Sequence, residues 1–521
     1  MILKTTHLTV AYHHGYLRYI KWGNEELVRM IYTAVRDQHW LTVSMIISDE
    51  KIEQDAQAFK ITYQATYRLS AIEYFANVEI IGSPDDTISF HFIGTSNSDF
   101  LRNRIGICVH HPIQECVGQS VEIIHADSSI LFSVFPRLIA PHQPFKNIQQ
   151  LIWKTLNQVG ARLAFEGDVF ETEDQRNWTD NSFKTYSTPL GIPFPVAVKK
   201  GDRVEQKVIL KVTNTNATNT VLNDGPAAET RVAFPAIGYT KSNDALSSEH
   251  IKFLNQIIID HYRVEIRFDT DWENTFDTAI EEAGKLNTKI ELAVFFEDYK
   301  KEYMQLKKVL NATVGSIIIL QNNAVVPDQK LLDFIIPLIK VDFHSIKIGA
   351  GTDLFFAELN RNRITDERLD FISFSINPQV HLYDDETLIE NLAAQQYCIQ
   401  TIRSFTKLPI HISPVTLKPR GFPALSVDER QHTAFIANWT ALTLKYLAGA
   451  EQITFYETVG EKGIINTNGP APVYELLKII TAFKPKDIIT KQVQDPFEKD
   501  ELVLENESGE RKIFEIKFNT K

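Results

Sequence analysis

From residue 1 to about 225 the chain alternates apolar and polar positions in short runs separated by turn residues. Segments 60–70 (KITYQATYRLS), 71–82 (AIEYFANVEIIG), 86–95 (DTISFHFIGT) and 120–134 (SVEIIHADSSILFSV) repeat with a period of two and are rich in Val, Ile, Thr, Tyr and Phe. Half-buried antiparallel strands need this pattern, because successive side chains point to opposite faces. One helix is predicted to interrupt them at about 17–36. The run 201–215 (GDRVEQKVILKVTNT) reads as a closing strand, and 216–230 (NATNTVLNDGPAAET) has the composition of a linker. A domain boundary is expected near 225.

Beyond the linker the rhythm changes to strand, helix, strand. Eight strands are predicted, at 231–239, 262–269, 289–296, 315–322, 345–351, 370–377, 408–415 and 452–459. Between them, runs such as SSEHIKFLNQIII, ENTFDTAIEEAGKL and DETLIENLAAQQYCIQTIRSF place apolar residues at helical spacing. Eight such alternations fit a closed (β/α)8 barrel of the TIM type better than an open sheet. From about 485 the chain returns to two short strands, ELVLENESG and RKIFEIKFNT. Two strands alone are marginal in water, so they are expected to pair with the first domain or to pack on the barrel. The expected fold is thus α/β plus all-β: an antiparallel β-sandwich over 1–225, a barrel over 226–484, and a small β segment over 485–521.

Composition narrows the function. The 521 residues are 44% hydrophobic and 23% charged, an ordinary globular balance, with room for about three domains. Lys and Arg number 54 against 66 Asp and Glu, a net charge of −12 that argues against nucleic acid and anionic membranes as partners. Three cysteines give neither a disulfide framework nor a zinc finger. No apolar stretch approaches the ~18 residues of a membrane span, and the first residues carry charges and histidines where a signal peptide needs an apolar core. The expectation is a cytoplasmic protein. Elbow-type serine hydrolase, P-loop, zincin and dinucleotide-binding motifs are absent from the sequence.

In a barrel of this kind, functional groups gather at the C-terminal strand ends and in the loops that follow. That rule selects Arg267 after strand two, Asp353 and Glu358 after strand five, Asn377 and His381 after strand six, Arg420 after strand seven, and Tyr456 and Glu457 on strand eight. Any single strand-end carboxylate is more often a loop ion pair or a helix cap than a catalyst. Glu457 stands out because it follows the apolar run ITFY and precedes a glycine-containing loop. A histidine in a loop such as that of His381 is more often a hydrogen-bonded support than a proton donor. A second constellation, at 165–190, includes Glu173, Asp174, Arg176, Trp178 and Lys184, a mixture of charge and aromatic surface suited to sugar hydroxyls. The bland alternative is a polar loop whose charges neutralise each other. If functional, this segment should overhang the barrel mouth. His110 and His111, followed by Glu115 and Cys116, are neighbours on a strand and point to opposite faces, so no metal is expected there.

The runs FETEDQRNWTDNSFKTYSTPLGIPFPV, GAGTDLFFAELNR, FSINPQVHLYDD and FYETVGEKG together resemble the D-apionate lactonase family, over roughly residues 100–465. The resemblance implies an N-terminal β domain, a central barrel and a small C-terminal β domain. It also implies hydrolysis of D-apionolactone to D-apionate in the breakdown of the branched sugar apiose, with a small sugar lactone as substrate. Ring opening calls for a base, donors at the developing oxyanion and an acid for the departing alkoxide, and needs neither metal nor other cofactor. Glu457 is the candidate base and His381 the candidate acid. Arg267 and Arg420 are candidate donors, and the Glu173–Lys184 segment is the candidate grip on the lactone hydroxyls. A conventional retaining glycosidase needs two suitably placed carboxylates. Strand four ends in Gln321-Asn322-Asn323 and strand seven carries no carboxylate, which disfavours it. The alternatives are a glycosidase for plant-type glycosides using Glu358 and Glu457, or an inactive carbohydrate-binding protein.

Overall fold

The computed structural model describes residues 1–214, 229–420, 427–490 and 499–518. The chain divides into two units, Met1–Gln175 with Asn181–Asp224 and Arg176–Asp180 with Gly225–Lys521. Most of the predicted linker over 216–230 lies outside the described residues.

In the first unit seventeen strands join into one antiparallel network. Its regularity follows from the period-two pattern. Ile72–Gly82 alternates buried and partly exposed residues along its whole length and pairs with Phe59–Leu69 from Leu69↔Ile72 to Phe59↔Gly82. Gly82 is required there, because a Cβ would lie 2.1 Å from the Phe59 ring. The helix expected over 17–36 is instead a hairpin, Tyr16–Trp22 with Glu25–Asp37, turning at Gly23 with φ +58°. Glu25–Asp37 is buried on both faces for most of its length, so apolar residues stand at consecutive positions, as in Leu27-Val28 and Met30-Ile31-Tyr32, and not only at alternate ones. Periodicity cannot separate such a strand from a buried helix. His110 and His111 are both buried in the strand Phe100–Pro112 and diverge: His110 lies 3.3 Å from the Ser182 hydroxyl and His111 2.8 Å from that of Thr185.

The second unit is built on eight parallel strands: β1 Ala236–Thr240, β2 His261–Arg267, β3 Lys289–Phe296, β4 Val314–Gln321, β5 Lys347–Gly351, β6 Phe371–Ile376, β7 Ile410–Val415 and β8 Gln452–Val459. Each pairs with the next, and β1 pairs with β8 to close the ring. The predicted first strand, 231–239, is interrupted at Phe234-Pro235. Proline cannot donate to a ladder, and the chain uses the break to pass from Thr230–Ala233, in a separate sheet, to β1. Helices follow the strands with their apolar stripes inward. In Trp272–Leu286 the buried residues include Phe276, Ala279, Ala283 and Leu286, a helical i, i+3, i+4 stripe. Each such buried side chain contributes about 1–3 kcal/mol. Among the described residues no helix is long and apolar enough to cross a membrane.

The N-terminal ends of the strands enclose a polar plug. Glu291 on β3 is fully buried and accepts hydrogen bonds from Ser413 at 2.6 Å, from the His411 ring at 3.2 Å and from Gln452. Burial alone raises its pKa, but the bond from His411 and the neighbouring His261 bring it down to about 2. His261 itself, bonded to Thr454 at 2.7 Å, is lowered by burial to about 4.

The expected tail strands, Asp500–Asn506 and Arg511–Ile516, join Thr230–Ala233 and Pro485–Thr490 in a four-stranded antiparallel sheet. Of the two placements expected for the tail, packing with the barrel unit is the one observed. Buried Asp500 fastens the sheet to the helix Ala434–Tyr446 by accepting from the Tyr446 hydroxyl at 2.6 Å and from Lys445.

Candidate active site

The C-terminal strand ends surround a pocket of about 850 Å³. Thr240, Glu265, Arg267, Phe295, Gln321, Asp353, Lys418, Arg420, Tyr456 and Glu457 are among its walls, so seven of the eight strands or the loops after them contribute.

Strand β2 supplies its charged floor. Tyr262 faces outward, its hydroxyl donating to Glu282 of the helix Trp272–Leu286 at 3.0 Å. Strand alternation therefore turns Arg263 and Glu265 toward the ring interior. Arg263, with no exposed surface, donates to Glu265 at 2.5 Å and to Asp353 at 2.9 Å. Arg420 approaches from the loop after β7, with Nε 3.1 Å from each Asp353 oxygen and Nη2 on Glu265. Two guanidinium groups and two carboxylates thus form one closed lattice. Burial raises both acids, but at Glu265 the charges of Arg420 and Arg263 outweigh it and hold the carboxyl well below its ordinary range. At Asp353 burial and the charge of Glu265 prevail and the carboxyl is raised.

Glu457 lines the same pocket from β8, with Lys462 Nζ at 4.0 Å. Burial raises its pKa against the opposing pull of Lys462 and Arg420. Arg267 lies across the Phe295 ring, 3.4 Å from its centre, with its nearest carboxylate oxygen on Glu265 at 3.9 Å. Forty per cent of its side chain is exposed, so the guanidinium can receive a ligand.

Five of the expected site residues, Arg267, Asp353, Arg420, Tyr456 and Glu457, come together here. The Tyr456 hydroxyl, however, is bonded to Thr440 of an outer helix at 2.8 Å. His381 is not among the pocket's walls: its Nδ1 is paired with Asp180 and its ring meets Trp178 edge-on, 5.5 Å between centres. Asn377 is likewise outside, its carbonyl accepting from Thr179 at 3.1 Å. Glu358, on the short helix Phe356–Arg361, is outside the pocket too, with a buried Oε2 that has no hydrogen-bond partner among the described residues and a pKa raised by burial.

The constellation at 165–190 divides between the units. Arg176 and Trp178 belong to the barrel unit, where Arg176 covers the Tyr397 ring at 4.6 Å and Arg361 covers Trp178 at 5.0 Å. Glu173, Asp174 and Lys184 belong to the first unit. There Lys184 pairs with Glu173 at 3.4 Å and Asp174 accepts from the Ala140 amide at 3.0 Å. None of these five is among the residues that line the pocket. Lys184 and Glu173 thus neutralise each other in buried surroundings, as the bland alternative for such a loop has it.

Sequence reasoning overlooked Glu265 and Arg263, which lie inside a strand and not at its end. The available signal was Arg263-x-Glu265-x-Arg267, three charges at period two in an otherwise apolar strand, all directed to one face.

A closed parallel barrel with a charged pocket at the C-terminal strand ends, accompanied by an antiparallel β domain, defines a multidomain barrel enzyme. Residues 1–215 match the family model for the N-terminal domain of D-apionate lactonase, and residues 235–485 match that for its TIM barrel domain. The chain belongs to the D-apionate lactonase family. It is 26% identical over 536 residues to the D-apionate lactonase of Brucella anthropi, spanning 93% of this chain and 88% of that protein. Among solved structures it is similar to an α-L-arabinofuranosidase from Thermotoga maritima, at 13% identity and a TM-score of 0.38 over 56% of this chain and 78% of that one. An α-galactosidase from Lactobacillus brevis gives 9% identity and a TM-score of 0.27 over 93% and 79%.

Proposed function

We propose that the protein hydrolyses a sugar lactone, D-apionolactone, to D-apionate, and that the reaction takes place in the pocket at the barrel mouth. The observation that carries this reading is that Glu457 and the guanidinium groups of Arg267 and Arg420 line one pocket in a chain of this family. The Glu457 carboxylate takes a proton from water as the water oxygen attacks the lactone carbonyl. Arg267 and Arg420 donate hydrogen bonds to the oxyanion that forms. As the intermediate collapses, the ring C–O bond breaks and Glu457 returns the proton to the departing alkoxide. One side chain thereby performs both proton transfers, and the acid role first given to His381 falls to Glu457. Glu265 and Asp353 hold Arg420 in place, with Arg263 bracing both from beneath.

The test is proton release on D-apionolactone followed in a pH-stat, beside a panel of chromogenic glycosides. The wild-type protein should open the lactone and leave the glycosides intact. Glu457→Gln should fold normally and lose about 10²-fold or more in kcat. Near-normal turnover by this variant removes Glu457 from the reaction, and glycoside cleavage without lactone opening overturns the assignment.

A further inference from the structure

Strand β8 does not keep its alternation to the end. Gln452 bonds Glu291 and Thr454 bonds His261 and Ser413, so both residues face the ring interior. Continued alternation directs Tyr456 inward and Glu457 outward, against the surrounding helices. Instead the Tyr456 hydroxyl points outward and Glu457 lines the pocket, with Tyr456 still bordering it. Tyr456 carries φ +41°, left-handed backbone that bulky residues rarely adopt. The pairing of β1 with β8 skips it, running Tyr239↔Phe455 and then Thr240↔Glu457. Its ring is 2% exposed and its hydroxyl reaches outward to Thr440. Glu457 thereby comes level with Thr240, and both line the pocket. One extra residue has reversed the facing of the one that follows, which is what a β-bulge does to a strand.

We propose that the left-handed bulge at Tyr456 is what aims Glu457 into the pocket, so that Tyr456 is a positioning residue, held in its unfavourable conformation by the buried bond to Thr440. This rests on the assignment of Glu457 to lactone opening. The bulge acts through backbone conformation, whereas a residue that merely fills space acts through its volume. The two roles predict opposite orders of activity in a substitution series.

The experiment compares Tyr456→Gly, Tyr456→Asn, Tyr456→Val and Tyr456→Leu, with kcat and KM measured on D-apionolactone for the variants that fold. Gly and Asn tolerate positive φ; Val and Leu resist it. The expected result is kcat at least about tenfold higher for Gly and Asn than for Val and Leu, with KM changing much less than kcat. An order that follows side-chain volume, with Gly lowest, overturns the proposal. Glu457→Gln is assayed in parallel, so that failure of the assignment registers separately. If that variant keeps its turnover, the decision passes to a crystal structure of the Tyr456 deletion or, if the deletion does not fold, of Tyr456→Val. Glu457 turned out of the pocket supports the aiming role, and Glu457 still inside it overturns the proposal.

Discussion

The carboxylate of Asp180 is paired with the imidazole Nδ1 of His381, and its other oxygen accepts from Asn391 at 2.7 Å. Both partners are buried or nearly so, and Thr179 and Asn177, beside Asp180, bond Asn377 and Asn360. The short segment Arg176–Asp180 is therefore fixed by several polar contacts within the barrel unit, and His381 is one of its fasteners. Removing a buried hydrogen-bond partner costs about 1–3 kcal/mol. His381→Ala is expected to lower the melting temperature by several degrees while reducing kcat far less than Glu457→Gln does. Calorimetry beside the lactone assay checks this, and a kcat loss equal to that of Glu457→Gln returns His381 to the chemistry.

Arg420 holds two carboxylates that repel one another without it. Arg420→Ala leaves Arg263 to bridge Glu265 and Asp353, and is expected to cost about 2–3 kcal/mol. That is less than the ~3–5 kcal/mol typical of a fully buried pair, since the three side chains keep 12–25% exposure. Arg420→Lys keeps the charge but loses the planar fork, and should fall between the two in both stability and turnover. Adding Glu265→Gln to Arg420→Ala should restore stability without restoring activity. Denaturant midpoints and kcat, measured on the same preparations, separate the two effects.

The acidic limb of the rate profile should belong to Glu457. Burial raises its pKa, and the proposed reaction starts from the carboxylate, so kcat/KM is expected to rise with pH through a midpoint above the ordinary glutamate value. Lys462 opposes the upward shift from 4.0 Å. Lys462→Ala should therefore move the midpoint higher still. A midpoint that does not move, or moves down, speaks against Glu457 as the titrating group.

Acid sensitivity has an identifiable source at the base of the barrel. The pKa of His261 is lowered to about 4 in the folded protein, from an ordinary 6.5, because burial disfavours the charged ring. In the unfolded chain it takes up a proton first, so its contribution to stability is full above about pH 6.5 and is lost as pH falls toward 4. The slope from this one group is at most about 1.4 kcal/mol per pH unit. Glu291, lowered to about 2, adds a second loss between its ordinary 4.5 and 2. His261→Gln, which can still bond Thr454, should lessen the slope of the stability curve between pH 6.5 and 4 and narrow the lower window, because His261 helps to hold Glu291 down. Denaturant titrations at half-unit pH intervals resolve the two windows.

The parts of this fold that were legible in the sequence are those where one face of an element meets solvent. Ile72–Gly82 and Trp272–Leu286 each show their period because polar residues mark the outer face. Glu25–Asp37 has no polar face over most of its length, and so was misread as helical. Strand-end logic found Arg267, Asp353, Arg420 and Glu457, since the C-terminal mouth of a barrel is fixed by topology. It missed Glu265, whose inward direction depends on strand phase, and did not foresee that His381 pairs with Asp180, 201 residues away in the chain. The bulge at Tyr456 left no mark in the hydrophobic pattern, because Phe455 and Tyr456 are both apolar enough to sit on either face.

The strands that lead into and out of the barrel run side by side in the four-stranded sheet, Thr230 opposite Thr490 and Val232 opposite Ile488. Neighbouring strands are about 4.8 Å apart, and an antiparallel pair can be joined at its ends by a turn of about two residues. A turn of that length would therefore suffice to join Thr490 to Thr230. The chain's entry to the ring and its exit from it are in this way tied at one place by a sheet outside the ring.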